Sequence, residues 1–141
     1  MKKYNVAVIG ATGNVGREIL NSLSQRSFPI NKIFAAASLD SLGKSVSFGD
    51  NTIKVCQISD LDFSDLDFAF FCAGSKVSKQ YAKIATSKGC TVIDKSSFFR
   101  LENDVPLVVP EANISVLKKF KAGGIIASPN CCAIPLAVAL K

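Results

Sequence analysis

The 141-residue chain contains no histidine. Any enzyme whose proton transfers depend on an imidazole is therefore incomplete within these residues. No apolar run approaches membrane-spanning length. The opening MKKYNVAVIG has too short an apolar segment for a secretory leader and enters a glycine turn without a small-residue cleavage site. No membrane partner is expected. The chain also lacks C-x-x-C spacing. Its five cysteines, Cys56, Cys72, Cys90, Cys131 and Cys132, are odd in number, which argues for reduced thiols in a cytoplasmic compartment and for neither a disulfide frame nor a bound metal. Arginine-rich stripes interleaved with aromatics are missing too, so nucleic acid is not an expected partner. The net charge of +6, from 17 basic and 11 acidic residues, is spread over scattered lysines with a modest cluster at Lys118, Lys119 and Lys121. It reads as a solvated face with some attraction for anionic ligands. Internal repeats and low-complexity segments are absent, and the length suits one domain with a proper core.

What is present is organised around Tyr4 to Leu20, YNVAVIGATGNVGREIL. Val6, Val8 and Ile9 form a β-branched strand, while Val15, Ile19, Leu20 and Leu23 recur at the spacing of one helical face. Between them lie Gly10, Gly13 and Gly16. The first glycine lets the chain turn sharply off the strand, the second admits a pyrophosphate to the backbone, and the third lets the helix pack closely. Free N–H groups of the helix's first turn face the anion. The segment from Gly10 through Ala11, Thr12, Asn14 and Val15 to Gly16 is thus a candidate dinucleotide site.

Lys32 to Ala37 reads as the second strand. It runs into Ser38-Leu39-Asp40-Ser41-Leu42-Gly43-Lys44, where Asp40 falls slightly late to accept from an adenosine ribose. Ser38, Ser41 and Lys44 either hold a 2′-phosphate or form an ordinary polar loop. Lys44 to Phe48 and Thr52 to Gln57 alternate around Gly49-Asp50-Asn51, predicting a hairpin at the sheet edge. Asp60, Asp62, Asp65 and Asp67 are read as a solvated turn. Asp67 to Ala73 is almost wholly apolar, as in a central parallel strand covered on both faces. Ser75 is the expected N-cap of a helix over Lys76 to Ser87, with Val77, Tyr81, Ile84 and Ala85 inward and Gly89 as C-cap. Ala73 and Gly74 are small enough for a cofactor to approach. Cys90 to Asp94 is the next strand, and beyond it Arg100 is either a clamp for carboxylate or phosphate or a surface arginine. Val105 to Pro110 is extended, Glu111 to Phe120 a short helix, and Gly124 to Ala127 a strand. Ala133 to Leu140 is read as a buried helix with Pro135 in its first turn. Cys131 at its N-terminus is a candidate nucleophile, because unpaired N–H groups there stabilise a thiolate; the alternative is an inert thiol. The alternation of strands and helices predicts a doubly wound α/β fold with a mostly parallel sheet, a Rossmann-like NAD(P)-binding domain occupying residues 1–141.

In order along the chain, VAVIGATGNVG, FFCAGSKVSK, VIDKSSFFR, VPLVVPEAN and IIASPNC resemble the N-terminal part of the bacterial aspartate-semialdehyde dehydrogenase family. The resemblance implies NADP-dependent reductive dephosphorylation of aspartyl phosphate to aspartate semialdehyde, in the branch leading to lysine, threonine and methionine. Cys131 corresponds to the nucleophile that forms an acyl-thioester, Asn130 to its neighbour, and Arg100 to the arginine that clamps the substrate phosphate. Thr12 to Val15 correspond to the pyrophosphate turn, and Ala73-Gly74 to the strand-end contact. Asp40 aligns with a family arginine that contacts the 2′-phosphate, so NAD use is open. Pro135 replaces a substrate-contacting glutamine, and Lys95 an asparagine. The family's second domain supplies an acid/base histidine and substrate-carboxylate contacts. The present chain is accordingly expected to be a truncated portion lacking the catalytic and dimerisation domain, folded but not catalytically competent, of an enzyme that assembles as a homodimer or larger homo-oligomer. Two other readings are a stand-alone nucleotide-binding module and a domain of N-acetyl-glutamyl-phosphate reductase.

Overall fold

A computed structural model describes residues 2–141. The hydrophobic pattern resolves into seven strands, β1 (Tyr4–Ile9), β2 (Ile30–Ala37), β3 (Ser45–Phe48), β4 (Asn51–Gln57), β5 (Phe68–Phe71), β6 (Thr91–Asp94) and β7 (Ile125–Ala127). The α-helices are α1 (Asn14–Gln25), α2 (Ser75–Ser87), α3 (Pro110–Asn113) and α4 (Ala133–Ala139), with short 3₁₀ turns between several elements. The strands form one sheet in the order β3-β4-β2-β1-β5-β6-β7. Every pairing is parallel except the hairpin β3–β4. The hairpin is more than an excursion, because β4 also pairs in parallel with β2 through Ala35–Val55 and Ala36–Cys56.

Alternation along β1 shows why both faces are covered. Val6 and Val8 pack with Leu20 and Leu23 of α1, whereas Ala7 and Ile9 pack with Ala69, Phe71 and the small residues Ala82 and Ala85 of α2. After β2 on one side of β1 the chain crosses to place β5 on the other. The order of the sheet therefore reverses between β1 and β5, and a crevice opens at their carboxyl ends.

Three inward-face expectations need correcting. Val15 is 49% exposed, because the place nearest the sheet in that turn is taken by Gly16, which is buried. On α2 the fully buried positions are Ser78, Ala82 and Ala85, while Ile84 faces outward; residues with short side chains let this helix lie close to β5 and β6. The apolar α4 is not buried: Leu136 is 58% and Leu140 78% exposed. It packs against α3, where the Lys141 ammonium donates to the Glu111 carbonyl, and none of its residues is buried.

Candidate active site

The turn after β1 is shaped by two glycines for the protein's own sake. Gly10 has φ +86°, and a Cβ there would lie 2.8 Å from the Cys72 carbonyl atoms and 2.9 Å from the Ala73 nitrogen. A Cβ on Gly16 would run into the Gly10 carbonyl oxygen. Gly13 differs. Its backbone is extended, and a Cβ would meet only the Gly10 oxygen at an ordinary 3.4 Å. No internal contact requires a glycine at 13, so its bareness leaves room for something outside the chain. Gly13 is also the N-cap of α1 and has no side chain with which to cap it. The first-turn N–H groups of Asn14, Val15 and Gly16 are therefore free of intrahelical partners, as anion sites require.

These residues open onto a hollow of about 410 Å³, lined by Gly10, Thr12 and Gly13 after β1, Ser38 after β2, and Cys72 and Ala73 after β5. This is the crevice of the strand-order reversal. Ala11 is buried beneath it, and Thr12 Oγ1 lies 3.3 Å from Ser41 Oγ, which ties the glycine turn to the β2 loop. Ser38 reaches the hollow, Ser41 is buried, and Asp40 is exposed on the intervening 3₁₀ turn outside its wall. Gly74, with φ +84° and ψ 171°, adopts a conformation open essentially to glycine alone and has no atom within 4 Å of where a Cβ would stand. It, and not Ser75, is the N-cap of α2; Ser75 Oγ instead meets Ser97 Oγ at 3.1 Å.

A second group of residues gathers at the carboxyl ends of β6 and β7. Arg100 is fixed by two backbone acceptors, donating from Nε to the Ser128 carbonyl at 3.0 Å and from Nη2 to the Lys95 carbonyl at 3.1 Å. The Lys95 ammonium donates to Ser128 Oγ at 2.7 Å. Three residues beyond Ser128, Cys131 is exposed at the entry to α4. Asn130 shapes that entry: its carbonyl accepts from Ala133 and Ile134, and its Oδ1 accepts from the Cys132 N–H at 2.7 Å. Asn130 thus acts as the cap, and Cys131 occupies the first position of the turn that leads into the helix.

The buried polar support behind this edge escapes a hydrophobicity pattern. Asp94 is fully buried, and its carboxylate accepts from Ser78 Oγ at 2.6 Å, from Ser96 Oγ at 2.7 Å and from the Ser96 N–H at 3.2 Å. Ser96 Oγ in turn accepts from the Phe98 N–H, and the buried ring of Phe99 meets Phe98 edge-on at 4.8 Å. The loop carrying Arg100 is therefore pinned from inside. Asp94-x-Ser96 is a legible side-chain turn motif, but Ser78 looks like a surface residue in the sequence.

The cysteines divide by environment. Burial pushes the Cys72 and Cys90 thiols up to about 12, and it also raises Cys56, with Asp60 adding to the effect. Cys131 and Cys132 are exposed.

Comparison with known proteins agrees with this geometry. The family profile described as semialdehyde dehydrogenase, NAD binding domain, matches residues 5–120. Aspartate-semialdehyde dehydrogenase of Rickettsia bellii is 64% identical over 140 residues, covering 99% of this chain and 41% of that protein. Aspartate semialdehyde dehydrogenase II of Vibrio cholerae, complexed with ASA, superimposes with a TM-score of 0.93 at 42% identity, over 99% of this chain and 46% of that one. The Candida albicans enzyme with NADP gives 0.74 at 27% identity, over 98% and 46% of the respective chains. The chain thus spans less than half the length of these relatives. With the profile covering most of its residues and the crevice built as such a domain needs, the chain belongs to the semialdehyde dehydrogenase NAD-binding-domain family.

Proposed function

We propose that residues 1–141 are the dinucleotide-binding, nucleophile-bearing domain of an aspartate-semialdehyde dehydrogenase. The observation that carries this reading is the Arg100–Ser128 hydrogen bond, which ties a fixed guanidinium to the short turn that presents Cys131. An arginine and an exposed cysteine held by one turn suit a substrate that carries both a phosphate and an electrophilic carbon.

In this reading Gly10 to Gly16, Ser38, Ala73 and Gly74 hold the dinucleotide, with the free N–H groups of α1 toward its pyrophosphate and Ser41 steadying the turn through Thr12. The bound cofactor supplies hydride. The Cys131 thiolate attacks the acyl carbon of aspartyl phosphate, the carbon–sulfur bond forms as the carbon–oxygen bond to phosphate breaks, and phosphate departs toward Arg100. Splitting the reaction through a thioester replaces one difficult step by two easier ones. Asn130 positions the nucleophile by fixing the turn around it. The remaining length of such an enzyme contributes the acid/base histidine, the contacts to the substrate carboxylate and the subunit interface. The whole acts in the cytoplasm as a homo-oligomer in amino-acid biosynthesis. NADP is the expected cofactor. The exposed Asp40 beside the pocket disfavours a 2′-phosphate and leaves NAD as the second candidate.

Iodoacetamide labelling with peptide mapping tests the nucleophile, since Cys131 and Cys132 are both exposed and differ only in place. Cys131 is expected to react first. Equal labelling of the two, or faster labelling of Cys132, refutes the assignment.

A further inference from the structure

We propose that Lys95 is a second cation of the Arg100 site, and that the two together bind a phosphate dianion. The proposal rests on the functional reading above and adds to it a residue that decides between singly and doubly charged anions. Ser128 is the common point. Its carbonyl holds Arg100 Nε at 3.0 Å while its hydroxyl holds the Lys95 ammonium at 2.7 Å, so one residue separates the two positive groups.

Neither cation has a carboxylate partner among the described residues, whose ion pairs are Lys2–Asp67 and Lys32–Asp65. The nearest acid in sequence, Asp94, lies on the opposite face of β6, where its oxygens are taken by Ser78 and Ser96. It offsets part of the local charge without pairing with either cation. The lysine is half-buried, beside an apolar hollow lined by Phe70, Ile93 and Ile126. An ammonium has three donors, and among the described residues only the Ser128 hydroxyl accepts from it. A guanidinium has five, and Arg100 uses two of them on backbone carbonyls. Two partly desolvated like charges repel each other, and free donors on both sides of one serine suit an anion with several oxygens. A dianion relieves that repulsion more fully than a monoanion does.

Inorganic phosphate is the probe, titrated into the 141-residue chain and followed by ³¹P line broadening, with nitrate as the monoanion, its affinity read from the concentration that relieves that broadening. Lys95→Gln is expected to weaken phosphate by about tenfold and nitrate far less, while Lys95→Arg stays within about threefold of wild type. Saturating NAD is expected to leave phosphate binding intact. If Lys95→Gln leaves phosphate unchanged while Arg100→Gln abolishes it, the site has one cation and the inference falls, with the Arg100 assignment standing. If neither variant matters, or the folded chain binds no phosphate, both fall. If Lys95→Gln weakens nitrate and phosphate equally, Lys95 merely positions Ser128. If NAD displaces phosphate, the cations serve the cofactor.

Discussion

Adding one carbon at Gly13 and at Gly16 should have opposite effects, because the two glycines stand in different surroundings. At Gly16 the new methyl meets the Gly10 carbonyl oxygen, a backbone atom that cannot swing aside, so the first turn of α1 must lift. Alanine is favoured over glycine in a helix by about 1 kcal/mol, but overpacking against an immovable neighbour costs about 1–3 kcal/mol or more. A net loss of about 2 kcal/mol is expected, which lowers the melting temperature by about 8 °C for a chain of this size. At Gly13 the methyl stands 3.4 Å from its nearest neighbour, in an extended backbone that alanine adopts freely. There the loss of a good N-cap, about 0.5–1 kcal/mol, is offset by a stiffer unfolded chain, worth about 0.4–1 kcal/mol. Gly13→Ala should therefore melt with wild type while binding NADP at least about tenfold more weakly, because its methyl fills the space left for the pyrophosphate. Thermal unfolding by circular dichroism and calorimetric titration read the two effects separately. Undiminished NADP affinity in Gly13→Ala would remove the glycine turn from the cofactor site. A Gly16→Ala variant as stable as wild type would show that α1 does not approach the turn closely.

Other expectations concern the groups beneath the site. Ser78→Ala leaves the buried Asp94 carboxylate short of a donor and should cost about 1–3 kcal/mol, seen as a lower urea midpoint at unchanged slope; an unchanged midpoint would mean that Asp94 is reached by water. Cys72 and Cys90 hold their protons in the folded chain after unfolded thiols have lost theirs. The stability they contribute is present below the unfolded pKa of 9.0 and is lost as pH rises toward about 12. Cys90→Ala should flatten that alkaline decline, which urea titrations between pH 8 and 11 would record. Asp40→Arg should shift dinucleotide preference toward NADP, measured as the ratio of the two calorimetric dissociation constants; an unmoved ratio would place the 2′-phosphate elsewhere.

The first strand, its glycine turn and α1 are legible in the sequence because each constraint there is local. A β-branched run, three spaced glycines and a helical period all fall within Tyr4 to Leu23. The strand-order reversal is also foreseeable once alternating elements are recognised. The inward face of α2 is legible only in part: Val77, Tyr81 and Ala85 pack on the core as periodicity suggests, but Ile84 faces outward and the fully buried Ser78 is justified only by Asp94 sixteen residues away. Apolar composition likewise misplaces α4: it shows that Leu136 and Leu140 favour burial, yet both stay exposed among the described residues. The meeting of Lys95 and Arg100 on Ser128 is invisible to spacing, since it arises only when β6 and β7 pair.

That meeting bears on the order in which the chain assembles. The glycine turn closes over a few residues, Gly13 N–H to Gly10 carbonyl, and can form as soon as β1 and α1 associate. The cation pair spans 28 and 33 residues to Ser128, and its loop rests on an acid that is satisfied only after α2 has docked. Distant closures come at a larger entropic cost and later. In a refolding chain the glycine turn should therefore form before the anion site, whereas the full crevice waits for β5, because Cys72 and Ala73 line it more than sixty residues beyond Gly10. During synthesis every residue that lines the glycine-turn crevice, up to Val77, precedes Ser128 by some fifty positions, so the proposed binding crevice has its parts before the proposed anion site does.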